Sequence, residues 1–234
     1  MSSESRTSIM ARLRHTSVGQ SAGRVEMERK SLGVAPAAPL LHEDIHIAFM
    51  ARVLKNQGTL DLAGDRSEAV KAVGQYLYQH HRSHRLVAGN DPHLAAMPWR
   101  DGGVLPRFGQ LEPGEPVALS YARWGIAETG AVVTLTGKWN PSANNLLPEQ
   151  HLVIVEADNV LGNLEQLWQK LIPEMEQNGR PRGINFIAGP SSTADVEATL
   201  VYGAHGPRGW HVVLLGEVPA ESLEIAQQLC AHQA

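Results

Sequence analysis

The chain has 234 residues, 43% of them hydrophobic and 19% charged, with a net charge of −4. That balance suits one globular domain with a sizeable core and an appendage. No apolar run approaches the ~18 residues needed to cross a membrane, and the N-terminus has no apolar signal core, so a cytoplasmic protein without a membrane span is expected.

The N-terminal arm is weakly basic. Residues 1–31 hold Arg6, Arg12, Arg14, Arg24, Arg29 and Lys30 against three acids, whereas the remainder holds 14 basic side chains against 21 acidic ones. Such an arm suits an acidic protein surface. Nucleic acid calls for a denser basic stripe and a recognisable module, so no nucleic-acid partner is expected. Ile9, Met10 and Leu13 share a face of a short helix over 4–14. Residues 16–40, with the APAAP run, read as an extended linker, which makes 1–40 a partly disordered arm and 41–234 the folded domain.

Within that domain, Ile45, Phe49, Met50, Val53 and Leu54 fall at helical spacing. A short strand over 59–63 follows. Asp65 and Glu68 make a capping-box start to a helix that turns Val70, Val73, Leu77 and Tyr78 inward. Further strands are expected over 85–88, 117–122 (alternating apolar and polar), 131–135 and 151–156. Residues 89–116, rich in Gly and Pro, give no element. The run Val160, Leu161, Leu164, Leu167, Trp168, Leu171, Ile172 and Met175 is the clearest amphipathic helix. Strand 184–188, helix 193–201, strand 210–215 and helix 220–231 complete the order. Alternation of strands and helices predicts an α/β fold of three layers, αβα, with a mainly parallel sheet.

Several segments carry chemistry. Ser192 and Asp195 match the S-x-x-D helix start, with Gly203 helping to end the helix. The free N–H groups there offer an anion site, which Asp195 and Glu197 oppose by their charge. Plain capping and turning is the competing reading. Glu128, between Gly125 and Gly130, is a turn carboxylate suited to act as nucleophile or general base, or simply an exposed turn residue. His205 is placed to move protons near neutral pH or to bond its own loop. His42-Glu43-Asp44-Ile45-His46 matches H-E-x-x-H, but it abuts a Pro-rich linker and lacks a marked third ligand, so no metal is expected. The HHRSHR run at 80–85 reads as a solvated helix end. No G-x-G spacing occurs, which disfavours the common dinucleotide site. The single cysteine, Cys230, falls short of the about four ligands an iron–sulfur cluster needs. No cofactor is therefore expected in this chain.

Two long blocks carry a family resemblance. GPSSTADVEATLVYGAHGP (189–207) resembles the signature of the lactate-utilisation C proteins, the LUD domain family. WGIAETGAVV (124–133) followed by NLLPEQHLVIV (145–155) agrees with it. The resemblance covers roughly residues 41–216. It implies a fold similar to ribose-5-phosphate isomerase and the CoA-transferases. It further implies a non-redox or accessory part in oxidising L-lactate to pyruvate, beside two iron–sulfur partner proteins. The alternative is a stand-alone isomerase- or CoA-transferase-type enzyme with a phosphorylated or CoA-linked substrate. On either reading the expected site joins Glu128, Asp195 and His205 as catalytic groups to Gly189, Ser191, Ser192, Thr193, Glu197 and Gly206, which bind a small molecule. All are expected at the carboxyl edge of the sheet, beyond strand 184–188.

Overall fold

The computed structural model describes residues 3–16, 22–33, 38–194 and 200–231, and the chain separates into two units, Met1–Ala37 and Ala38–Ala234. The first unit holds α1 (Ser3–Thr16) and α2 (Ala22–Ser31). The second runs α3 (Ile45–Lys55), β1 (Thr59–Ala63), α4 (Arg66–His81), β2 (Arg85–Ala88), α5 (Pro92–Ala95), β3 (Leu105–Phe108), β4 (Val117–Ala122), β5 (Trp124–Ile126) and β6 (Ala131–Thr136). It continues with α6 (Ser142–Leu146), β7 (Gln150–Glu156), β8 (Val160–Leu161), α7 (Leu164–Asn178), β9 (Gly183–Ile187), β10 (Ser192–Ala194), β11 (Leu200–Tyr202), β12 (Gly209–Leu215) and α8 (Ala220–Ala231).

Six strands form one sheet in the order β1-β12-β7-β4-β2-β3, and every pairing in it is parallel. Parallel strands need both faces covered, and the alternation of side chains divides them between two cores. Leu152 and Ile154 of β7 and Val213 and Leu215 of β12 pack with Val70, Val73 and Leu77 of α4 and Leu94 of α5. Val153, Val155, Val212 and Leu214 point the other way, onto Ile47, Phe49 and Met50 of α3 and Ala226 of α8. Each such fully buried side chain contributes about 1.5–3 kcal/mol of hydrophobic stabilisation. The α/β architecture with a parallel central sheet is thus as expected.

A second sheet departs from the expectation. Strands β6 and β9 do not enter the parallel sheet; with β8 and β5 they form a four-stranded sheet, order β8-β5-β6-β9, in which β6 is antiparallel to β5 and to β9. Its Trp124, Ile126, Val133 and Leu161 pack with Leu167 and Leu171 of α7 in a third core. The expected helix over 193–201 is corrected at its described ends: β10 and β11 pair antiparallel, so Ser192 lies in a strand, not at a helix start. Residues 195–199 fall outside the described ones.

Smaller differences have local causes. Within the supposed linker, α2 is braced by Arg24–Glu28 and Glu26–Arg29 ion pairs at i,i+4 and i,i+3, spacings that stabilise a helix surface. Strand β4 is buried throughout, because it lies between β7 and β2 with both faces covered. Tyr78 is half exposed, one residue off the inward stripe. Asp65 accepts from the Glu68 N–H and Glu68 from the Gly64 N–H, so the expected cap at the start of α4 is present, its reciprocal bond one residue upstream.

Candidate functional site at the carboxyl edge

Ligands in open parallel sheets bind beyond the carboxyl ends of the strands, where neighbouring connections leave in opposite directions. Strand β2 leads toward β3 on one side and β4 toward β7 on the other. The crevice between β2 and β4 is therefore such a switch point. A cleft of about 500 Å³ opens there, lined among others by Asp91, His93, Tyr121, Arg123 and Glu156.

Local structure fixes each of these groups. Asp91 caps α5, accepting from the His93 N–H at 2.8 Å, with Pro92 at the first helical position. The same carboxylate oxygen lies 2.8 Å from His93 Nδ1. The imidazole stacks on the Tyr121 ring, with centroids 4.3 Å apart and planes 4° from parallel. Tyr121 is the next-to-last residue of β4 and Glu156 the last of β7. Burial first, then hydrogen bonding to Glu156 and the nearby carboxylate charges, push the Tyr121 hydroxyl far above its ordinary range, so it stays protonated. Glu156 also accepts from Asn159 Nδ2 at 3.3 Å. Arg123 is held by Glu174 through two bonds of 2.6 and 3.1 Å.

A second chamber of about 710 Å³ adjoins the first and is lined by Lys138, Arg182, Asn90 and Gln110, among others. Thr136 and Gly137 line both. Behind this wall runs a buried polar chain between the two sheets. His151 Nε2 lies 3.0 Å from Ser120 Oγ, which donates to Asn145 Oδ1 at 2.5 Å. Asn145 donates to Thr134 Oγ1, and Asn185 donates to both Thr134 and Thr136. Burial lowers the pKa of His151 to about 3, and its Nδ1 has no hydrogen-bond partner. Asn140, in the cleft wall and 7% exposed, likewise leaves Oδ1 unpaired.

Chemically the cleft offers a neutral phenol donor, two carboxylates, an imidazole oriented by one of them, and two cations in the adjoining chamber. A carboxylate on one imidazole nitrogen fixes the tautomer and prepares the other nitrogen for proton transfer. Among the described residues no group of three or more His, Cys, Asp or Glu side chains could hold a metal ion. In the H-E-x-x-H segment Asp44 caps a helix that begins at Ile45, so His42 lies outside the helix and shares no face with His46. The His46 ring bonds the Ala157 carbonyl at 3.1 Å.

The residues anticipated from sequence lie elsewhere. Ser191 donates its N–H to the Pro207 carbonyl and accepts from Gly203 N. Thr193 Oγ1 lies 3.2 Å from His205 Nδ1, and a side chain at Gly206 would meet Ser191. Ser191, Ser192, Thr193, His205 and Gly206 are therefore brought together by the hairpin. Their place, next to the residues that open β12, is the amino edge of the parallel sheet, not the carboxyl edge, because β9 belongs to the second sheet. The half-buried Glu128 accepts from Ala38 N and from Leu164 N at the start of α7, at 3.2 and 3.3 Å. No hydrogen bond or ion pair joins it to His205 among the described residues. The two blocks do converge on one helix end. Asn56 donates to the Thr129 carbonyl, and Gly189 packs on the Asn56 carbonyl, where an added Cβ would sit 2.4 Å away. Asp195 and Glu197 lie outside the described residues.

Sequence reasoning missed Asp91, His93, Tyr121, Glu156, Lys138 and Arg182. A signal existed for the first four, since Tyr121 and Glu156 lie at the carboxyl ends of strands expected over 117–122 and 151–156, and Asp91 and His93 lie in the segment that follows the strand expected over 85–88. Lys138 and Arg182 carried none, because the fold of the second sheet brings them to the edge.

The LUD domain model matches residues 116–215. The uncharacterized protein YkgG of Escherichia coli is 36% identical over 113 residues, 48% of this chain and 48% of that protein. Lactate utilization protein C of Halalkalibacterium halodurans is 34% identical over 100 residues, 42% of this chain and 44% of that protein. The protein of the same name from an Exiguobacterium species is 26% identical over 157 residues, 63% of this chain and 68% of that protein. The chain spans about half the length of the first two of these relatives. A crystal structure of a DUF162 family protein from Deinococcus radiodurans superimposes with a TM-score of 0.54 at 21% identity, over 74% of this chain and 96% of that one. That likeness concerns the fold alone.

Proposed function

We propose that the chain serves L-lactate utilisation, a reading that starts from the match of residues 116–215 to the LUD domain model. The observation that carries this reading is the likeness to relatives named lactate utilization protein C, one of them at 34% identity. Oxidation of L-lactate to pyruvate removes two electrons and two protons. The electrons are assigned to two iron–sulfur partner proteins, since one cysteine supplies too few thiolates for a cluster. This chain is the accessory component that holds a small-molecule ligand at the carboxyl-edge cleft. The Asp91–His93 pair is its proton-handling group. The hairpin cluster of Ser191, Thr193 and His205, with Glu128, belongs to the surface that meets the partners.

The reading is tested by deleting the gene in its source cell and measuring growth on L-lactate as sole carbon source. Growth is expected to fail and to return on complementation, with growth on pyruvate unaffected. Unchanged growth on L-lactate, in a strain with no duplicate lactate route, would overturn it.

A further inference from the structure

The two chambers at the carboxyl edge share a wall and differ in charge. Lys138 and Arg182 line the larger, which has no carboxylate in its lining. Neither cation takes part in an ion pair among the described residues, and Lys138 Nζ sits 4.2 Å over the Trp139 ring. Asp91 and Glu156 line the smaller chamber, together with Arg123, whose charge is engaged by Glu174. Ionised carboxylates only accept hydrogen bonds, and they repel an anion. The smaller chamber therefore suits hydroxyl groups, and the larger suits a carboxylate or phosphate.

Lactate would leave most of either chamber to water. Six heavy atoms displace roughly three or four waters, on the order of 100 Å³ at about 30 Å³ per water. Either chamber, at about 710 or 500 Å³, is several times larger and falls in the range that holds a drug-sized ligand. We infer that the double chamber binds one polyhydroxylated organic anion larger than lactate, with its anionic group at Lys138 and Arg182 and its hydroxyls toward Asp91 and Glu156. Thr136 and Gly137, which line both chambers, mark the boundary that such a ligand would cross. The inference rests on the cleft and holds whether or not the protein serves lactate.

The test is calorimetric titration of the purified full chain with gluconate, glucose 6-phosphate, L-lactate and inorganic phosphate. At least one of the first two is expected to bind about tenfold or more tightly than either of the last two. Gluconate in preference to glucose 6-phosphate would mark a carboxylate as the anionic group, and the reverse a phosphate. Lys138→Met with Arg182→Met should weaken that binding by about tenfold or more, with little change in Tm because both side chains are exposed. Glu156→Gln should weaken the polyhydroxylated ligand and leave inorganic phosphate unaffected. Three results would overturn the inference: no binding of gluconate or glucose 6-phosphate below about 10 mM, lactate binding as tightly as either, or undiminished binding by the double variant. A lactate growth defect on gene deletion together with any of these would sink this inference and spare the proposed function.

Discussion

At the scale of single residues, His151 shows how burial converts a titratable side chain into a structural one. Its ring is fully buried on β7 and its one recorded polar contact is Ser120 Oγ. Loss of hydration holds its pKa at about 3 in the folded chain, against 6.5 for an ordinary histidine. Between those values the unfolded chain binds a proton that the folded chain refuses. Stability from this group is therefore intact above about pH 6.5 and declines as pH falls toward 3. Ser120, which donates to Asn145, accepts at Nε2, but the proton added at Nδ1 meets no acceptor among the described residues. His151→Leu should flatten the fall of Tm between pH 6.5 and 4 relative to the parent, even if it lowers Tm at pH 7. An unaltered slope would show that other groups govern acid sensitivity. The sequence presents His151 only as the first residue of an apolar strand. Its role depends on β6, α6 and β9 closing over it, a set of contacts that no local pattern announces.

At the scale of elements, the sequence reveals which segments are strands and helices better than it reveals where they pair. The runs at Ala131–Thr136 and Gly183–Ile187 have the same apolar character as the parallel strands, and periodicity alone does not separate the two kinds. Their antiparallel partnership is non-local. The hairpin of β10 and β11 was hidden for a related reason. Ser192 and Asp195 imitate a helix start, whereas the bonds that close the hairpin base, Ser191 to Pro207 and Gly203 to Ser191, span 16 and 12 positions of sequence. Glu128 also gains its setting from an element far along the chain. Its carboxylate accepts at the first N–H of α7, where negative charge offsets the helix dipole by about 0.3–1 kcal/mol. Asn163 caps the same helix through Gln166 N, so the contribution of Glu128 is partial. Glu128→Ala should lower Tm by about 1–4 °C for a chain of this size, and Glu128→Gln, which keeps an acceptor oxygen, by less. Differential scanning calorimetry of both variants measures this. If Glu128→Gln keeps the parent Tm and yet abolishes growth on L-lactate, the carboxylate has a chemical part beyond holding the helix start.

At the scale of the whole domain, the parallel sheet separates two groups of polar residues. The carboxyl edge carries the cleft of Asp91, His93, Tyr121 and Glu156. The amino edge carries the signature hairpin, the loop of His205, and Gly189 against Asn56. Strand β9, beyond which the sequence places the site, belongs to the other sheet. For β2, β4 and β7 the rule that ligands sit beyond strand ends points to the cleft. If the two edges have different tasks, substitutions at each should separate in their effects. His205→Ala and Ser192→Ala should lower growth on L-lactate while leaving gluconate or glucose 6-phosphate binding by the purified chain unchanged. Glu156→Gln and His93→Gln should lower both. The separation is expected because the His205 ring bonds Thr193 of the hairpin, and because the hairpin lies across the length of the strands from the cleft. Equal loss of ligand binding in His205→Ala would place the ligand at the amino edge instead, beside the hairpin, and leave the carboxyl-edge cleft without a role in binding.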